Sequence, residues 1–167
     1  MRSLRSAAVA AWLLWLTACG GGSHPDDAVL IARFGADRAA YDSLLALALG
    51  DRALWRIAPT WYRLQSGENR EVPSAALPVE RWAVYRRLFD RLDLANGVSN
   101  EGGVVYFHNS DLGLSISGSS KGLAFVSQPE RAAPRCTSLD RLPPARPDSA
   151  QICYRAIGGH WFLSLDW

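Results

Sequence analysis

Three polar residues near the C-terminus have the side-chain types found in hydrolase active sites. His160, Ser164 and Asp166 occupy alternate positions of one predicted strand and therefore share one of its faces. In serine hydrolases a histidine, oriented by a carboxylate, takes the proton of a serine hydroxyl. Residues four apart on a strand are separated by about 13 Å, which is far beyond hydrogen-bond reach. The spacing therefore indicates a half-exposed strand face rather than a catalytic set.

The histidines form no metal-binding motif. His24, His108 and His160 are the only three, and the sequence contains neither HExxH nor a closely spaced histidine pair. We predict that His24 lies on a tether and that His108, close to a predicted turn, lies on the surface. An envelope hydrolase would require a pocket that joins His108 or His160 to a carboxylate and a hydroxyl within about 3 Å. We expect no metal and no cofactor.

The segment 118–122 contains the residue types of a phosphate-binding loop. It lacks the GxxxxGK[ST] spacing and precedes a predicted strand rather than a helix, so a hairpin turn is the simpler interpretation. Lys121 is the only lysine of the chain. We keep it, together with Arg155 and His160, as a weak candidate for a binding surface.

Aromatic residues supply two further weak candidates. Trp82 and Trp161 fall on predicted apolar faces, which favours packing in the core. Trp55 and Trp61 lie in a stretch of ambiguous secondary structure. They are the better candidates for a groove that binds a sugar or a peptide.

Cys136 and Cys153 are the two cysteines that follow Cys19. An even pair in an exported protein predicts a disulfide bond. The bond would fix the proline-rich segment 128–148 to the rest of the domain.

The N-terminal residues have the three parts of a secretion signal. Arg2 and Arg5 form a positive start, and the ten residues 7–16 are apolar and uncharged. Ten residues extend about 15 Å as a helix, half of the ~30 Å hydrocarbon core, which is too short to span a membrane. The sequence Leu16-Thr17-Ala18-Cys19 resembles the lipobox of bacterial lipoproteins, although Thr17 departs from the commoner alanine or serine.

The lipobox resemblance implies cleavage between Ala18 and Cys19 and attachment of a diacylglycerol to the Cys19 sulfur. A further acyl chain, such as palmitate, would modify the new amino terminus. Two or more acyl chains hold a protein stably at a membrane. Gly20 stands where an aspartate would favour inner-membrane retention, so we expect a periplasm-facing protein at the outer membrane. The glycine-rich residues 20–23 would act as a flexible tether.

Charge gives no case for nucleic-acid binding. The chain of 167 residues has a formal net charge of +2, and removal of Arg2 and Arg5 with the signal makes the remainder formally neutral. Seventeen of the eighteen basic residues are arginine, which is typical of a GC-rich genome.

Helical periodicity dominates the first half of the chain. Apolar residues at helical spacing predict a helix from about residue 27 to Gly50, kinked or divided near Gly35. A short second helical piece containing Trp55 would follow, and residues 65–76 are predicted to be a loop. Residues 78–95 predict another helix, whose apolar side chains recur at intervals of three, four and three residues.

After Gly102, apolar and polar residues alternate, which is the pattern of β-strands rather than helices. Residues 104–108, 112–117 and 122–127 are predicted strands, with tight turns at 109–111 and 118–119. Gly158-Gly159 joins the strands 151–157 and 160–167 in a predicted hairpin. The predicted pairs are Ala156–Trp161, Tyr154–Leu163 and Ile152–Leu165, all on one face.

These elements predict an α+β fold, in which N-terminal helices pack on an antiparallel sheet of about five strands that ends in a β-hairpin. Lys121-Gly122, Tyr154-Arg155 and residues 159–162 make the folded part loosely similar to small exported bacterial proteins with no assigned role. That similarity implies no chemistry.

The predicted organisation is a signal peptide at 1–18, a lipidated tether at 19–26 and one periplasmic domain at 27–167. We expect a lipid-anchored envelope protein with a non-catalytic domain that binds a partner or supports an assembly. One alternative is an inhibitor or immunity-type lipoprotein that acts on an exported enzyme or toxin. The other is an envelope hydrolase. The expected partners are the membrane, through Cys19, and an envelope protein.

Overall fold

The computed structural model describes residues 23–113, 118–141 and 151–167. These ranges contain three α-helices, eight β-strands and a short 3-10 helix at Pro129–Arg131. The helices are α1 Asp27–Ala36, α2 Arg38–Gly50 and α3 Val79–Leu92. The strands are β1 Leu54–Ile57, β2 Trp61–Leu64, β3 Asn69–Glu71, β4 Val98–Glu101, β5 Val104–Leu112, β6 Ser119–Val126, β7 Ile152–Gly158 and β8 Trp161–Asp166.

The predicted α+β class and its terminal hairpin are confirmed, but the predicted number of strands is wrong. The strand order is β3-β2-β1-β4-β5-β6-β8-β7, and every neighbouring pair is antiparallel. The segment around Trp55 is β1 rather than a helical piece, and the predicted loop 65–76 contains β3. Strands β1 to β4 have only three or four residues each, which is too short to show an alternating pattern.

The helices follow the predicted periodicity closely. Helix α1 ends at Ala36, one residue after Gly35, and Asp37 separates it from α2. In α3 the four residues of the 3-4-3 pattern are all buried, namely Trp82, Tyr85, Phe89 and Leu92. The helix ends at Leu92, and the next residue, Asp93, takes the left-handed conformation that closes many helices.

The turn predicted at 109–111 is wrong, because β5 continues through this segment. Pairing of β5 with β6 shifts register between His108 and Ser110, so Asn109 is the extra residue of a β-bulge. The bulge lets one strand of nine residues contain polar residues that look like a turn in the sequence.

The C-terminal hairpin forms, but its predicted register is wrong. Ala156 pairs with Phe162 and Tyr154 with Ser164, and the register shifts between Ala156 and Gly158. The turn lies at Gly159-His160, where Gly159 has a φ of 57° that favours glycine. A one-residue shift moves side chains to the opposite face.

The two faces of the sheet therefore differ. One face packs against the helices, where the ring of Trp161 lies 4.9 Å from that of Phe34 and 5.3 Å from that of Phe107. The expectation that Trp82 and Trp161 belong to the core is confirmed. The opposite face has a smaller apolar cluster, Ala124, Val126, Ala132, Tyr154 and Phe162.

The predicted disulfide bond between Cys136 and Cys153 is present. It closes a loop with a sequence separation of 17, for which chain entropy gives a stabilisation of about 3 kcal/mol. The bond holds the segment after β6 against β7, where Arg135 also forms a parallel bridge with Tyr154.

Candidate functional site

A polar cavity of about 220 Å³ lies on the sheet face that the helices leave uncovered. Strands β4, β5, β6, β7 and β8 all contribute to it. Its lining residues are Glu101, Tyr106, Phe107, His108, Ser120, Gly122, Gln151, Ile152, Ser164 and Asp166.

Cross-strand register brings most of these residues together. Gly122 pairs with His108 on one side and with Ser164 on the other, which places them in one row across the sheet. Ser120 pairs with Asp166 in the next row. Side chains of paired residues point to the same face of a sheet, so both rows face the cavity.

The floor of the cavity is formed by a glycine and a buried serine. A Cβ atom at Gly122 would collide with the carbonyl oxygen of Phe107, so this position requires glycine. Ser164 is 6% exposed, and its hydroxyl lines the cavity without hydrogen-bonding to another described side chain or backbone group. The hydroxyl opens into the cavity, so a ligand group placed there could donate a hydrogen bond to it or accept one from it.

His108 connects two serines beside the cavity. Its Nε2 lies 3.0 Å from Ser99 Oγ and its Nδ1 lies 3.1 Å from Ser120 Oγ. Ser99 Oγ donates to Glu101 Oε1 at 3.3 Å, so it accepts from His108 Nε2–H, and Nδ1 of a neutral His108 accepts from Ser120. Hydrogen bonds thus connect the Ser120 hydroxyl to His108 and, through Ser99, to the Glu101 carboxyl group.

The electrostatic setting keeps His108 neutral. Burial, with a smaller contribution from the Arg56 guanidinium, lowers the pKa of His108 to about 4. A base with this pKa is poorly matched to proton abstraction near neutral pH. His108 is therefore better suited to holding its two serine partners by hydrogen bonds than to acting as a general base.

Two carboxyl groups stand at the rim of the cavity. Burial raises the pKa of Glu101, against smaller lowering contributions from Ser99 and Arg56. Burial also raises the pKa of Asp166, and the nearby Asp111 carboxylate adds to the effect. Both groups are thus partly desolvated acceptors without a cation bound directly to them among the described residues.

Two tyrosines are paired through their hydroxyl groups on this face of the sheet, and one of them, Tyr106, lines the cavity. Their hydroxyl oxygens, Tyr106 Oη and Tyr154 Oη, lie 2.6 Å apart, and burial raises the pKa of both. The ring of Tyr154 packs edge-on against Phe162. Neutral phenols at this place supply hydrogen bonding without adding charge.

Lys121 is not on a surface, which corrects its candidacy for binding. Its side chain is 1% exposed, and its ammonium lies 2.8 Å from Asp27 Oδ1 and 2.9 Å from Asp140 Oδ1. Arg155 belongs to the same cluster, with Nη1 at 2.6 Å from Asp27 Oδ2. These charges tie α1 to β6, to β7 and to the segment after the 3-10 helix.

The other weak candidates lie away from the cavity. His160 is exposed at the turn of the hairpin, where its ring stacks on Phe125 at 5.5 Å. The rings of Trp55 and Trp61 are half-buried and lie beneath arginine side chains, Arg63 at 5.1 Å and Arg56 at 5.7 Å. The structure does not bring these three candidates together.

His108, predicted as a surface residue near a turn, lies instead in β5 beside the bulge, where it is partly buried and lines the cavity. Glu101 and Ser120 were not among the predicted site residues, and Asp166 was considered only in the catalytic set that its spacing argued against. Alternation did place Ser164 and Asp166 on one face of the predicted strand, and both line the cavity, but their neighbours there come from other strands. His24, expected on the tether, hydrogen-bonds to Ser110 Oγ at 3.0 Å and Ser119 Oγ at 2.7 Å.

Comparison with known proteins finds no matching family model, no matching curated protein and no matching solved structure. Within the described ranges, no three histidine, cysteine or carboxylate side chains converge as metal ligands. The helices of the described part are also too short and too polar for any of them to cross a bilayer.

Proposed function

We propose that this chain is a lipid-anchored cell-envelope protein whose periplasmic domain binds a small ligand group in the cavity of the uncovered sheet face. The observation that supports binding is the cavity lining, where Ser164, a residue only 6% exposed, opens its hydroxyl beside the carboxyl groups of Glu101 and Asp166 and has no hydrogen-bond partner among the described residues. The anchor rests on Leu16-Thr17-Ala18-Cys19, which lies outside the described residues. The outer membrane is its proposed location.

The binding role has a direct test in solution. We expect the ¹⁵N-labelled domain, residues 23–167, to show saturable amide shifts at Gly122 and Ser164 with at least one member of a fragment panel of cationic, neutral and anionic compounds. The matched control is Ser164→Ala, which removes the hydroxyl and adds no atoms to the buried position. Shifts confined to the helical face, or no saturable shift with any fragment, would contradict the proposal.

The inhibitor or immunity-type alternative would require a deep groove or a large complementary surface. The cavity of about 220 Å³ is smaller than the ~300–1,000 Å³ of typical ligand sites, so it suits one small group instead. That group could equally belong to a partner protein's side chain.

A second candidate function is an envelope hydrolase, because Ser120, His108 and Glu101 are joined through Ser99. The low pKa of His108 opposes it. We expect no covalent labelling of the domain by a fluorophosphonate probe, measured by intact mass. Stoichiometric labelling that disappears in Ser120→Ala and persists in Ser138→Ala would establish the hydrolase instead.

A further inference from the structure

Among the residues that the structure describes, carboxylates outnumber cations around the cavity. Glu101 and Asp166 line it, and Asp111 lies on the same sheet face, close enough to Asp166 to raise its pKa. Arg56 is the cation that acts on Glu101, but it is engaged with Asp111 at 3.4 Å and with the carbonyl oxygen of Asn96 at 3.1 Å. In the described part of the chain, three carboxyl groups thus stand against one guanidinium, which is already engaged with one of them.

The floor of the cavity adds an uncharged group, the Ser164 hydroxyl, which can both donate and accept a hydrogen bond. Ser164 is buried and unpartnered among the described residues, while the rim carboxyls stand above it. A group that donates several hydrogen bonds would satisfy Ser164 and the two carboxylates together. Ammonium and guanidinium groups donate three and five hydrogen bonds and accept none.

The size of the cavity limits how much of a ligand can enter. The cavity of about 220 Å³ is smaller than the ~300–1,000 Å³ of typical ligand sites, so it suits a short alkyl chain and its charged end rather than a nucleotide or a sugar chain. Tyr106 presents an aromatic side wall, and aromatic rings attract cations. An anion would be repelled by the Glu101 and Asp166 carboxylates at the rim.

We propose that the cavity takes a single cationic group, an alkylammonium or an alkylguanidinium, held by Glu101, Asp166 and the Ser164 hydroxyl. The inference rests on the proposed binding function and specifies its ligand chemistry. The cation belongs either to a free small amine or to a lysine or arginine side chain of a partner polypeptide. Its hydrogen bonds to ionised acceptors would provide the affinity.

The test titrates the ¹⁵N-labelled domain with four probes of similar size: n-butylammonium, n-butylguanidinium, n-pentanol and pentanoate. We expect both cations to shift the Gly122 and Ser164 amides and to saturate, with weaker binding at higher salt. Titration with N-acetyl-lysine methylamide and with cadaverine separates the two sources. Tighter binding of the capped lysine favours a partner side chain, and tighter binding of cadaverine favours a free amine.

Charge-matched variants separate a local site from a general electrostatic effect. We expect Glu101→Gln with Asp166→Asn to weaken cation binding at least tenfold, because hydrogen bonds to charged groups are lost. Glu80→Gln with Asp90→Asn removes the same charge from exposed positions of α3 and should change affinity less than twofold. Thermal unfolding of both double variants confirms that each remains folded.

The outcomes distinguish this inference from the function on which it rests. Equal or stronger binding of pentanol or pentanoate at Gly122 and Ser164 would overturn the cation inference but leave a binding site. An equal loss of cation affinity in both double variants would also overturn it. No saturable shift with any probe or fragment would overturn both proposals.

Discussion

Replacing Asp27 with alanine is expected to lower the free energy of unfolding by about 3 kcal/mol. Asp27 and Lys121 are each 1% exposed, and their charged atoms lie 2.8 Å apart. Removing one partner of a buried ion pair leaves the other charge in a medium that solvates it poorly. Asp140, at 2.9 Å from Lys121 but 38% exposed, compensates in part, which keeps the effect at the lower end of the usual range.

Asp27 is also the acceptor for several other donors. Arg155 Nη1 lies 2.6 Å from its Oδ2, and the Leu139 amide donates to the same oxygen at 2.8 Å. These contacts join the first turn of α1 to β7 and to the segment before residue 142. Loss of the carboxylate therefore releases three parts of the domain at once.

The measurement is urea or thermal unfolding of the domain with Asp27→Ala, and a fall in Tm of about 6–12 °C is expected. Asp42→Ala is the matched control, because Asp42 pairs with Arg38 at 3.0 Å where both side chains are half-exposed. It should cost no more than about 0.5 kcal/mol. Equal stability of Asp27→Ala and the parent would show that the cluster contributes nothing.

The same cluster predicts a dependence of stability on pH. Burial raises the pKa of Asp27, but Lys121, the Leu139 amide and Arg155 outweigh it and lower the pKa to about 2 from the ordinary 3.8. A carboxyl group with a lowered folded-state pKa stabilises the fold above its unfolded pKa. That contribution should be complete above about pH 4 and disappear as the pH falls towards 2, and Asp27→Ala should lack it.

The spacing of apolar residues predicted the long elements, above all the helices that pack against the core. The spacing of Trp82, Tyr85, Phe89 and Leu92 is a local consequence of one helix face contacting the core, and all four are buried. The strands β1 to β3 have no such pattern, because each has only three or four residues, although Leu54, Ile57 and Tyr62 are buried in the core. Propensity over three or four residues is too weak to predict them.

The cavity could not be predicted from the sequence because two bulges determine its residues. The extra residue Asn109 places His108 opposite Gly122, and the register shift after Ala156 places Tyr154 opposite Ser164. Without its bulge, either strand pair would be shifted by one residue, and a different set of side chains would lie on the uncovered face. Gly122 also looked like part of a turn, whereas it is required by the close approach of the Phe107 carbonyl.

Replacing Cys19 with alanine is expected to abolish lipidation completely, because the proposed diacylglycerol is attached through the Cys19 sulfur. Each buried methylene contributes about 0.8 kcal/mol to membrane binding, so loss of two or more acyl chains removes the dominant attachment. Intact-protein mass spectrometry of membrane extracts and incorporation of labelled palmitate measure the change directly. The readout is acylation rather than fractionation alone, because an uncleaved apolar signal could still associate with the membrane.

Two matched variants make the Cys19 experiment specific. Cys136→Ser with Cys153→Ser removes the other two cysteines of the chain and should leave palmitate incorporation unchanged. Thr17→Ala restores the commoner lipobox residue and should also preserve it. A mature product that begins anywhere other than Cys19, or a Cys19→Ala protein of unchanged acyl mass, would contradict the anchor. In that case the binding proposal would stand alone, since it depends only on residues 23–167.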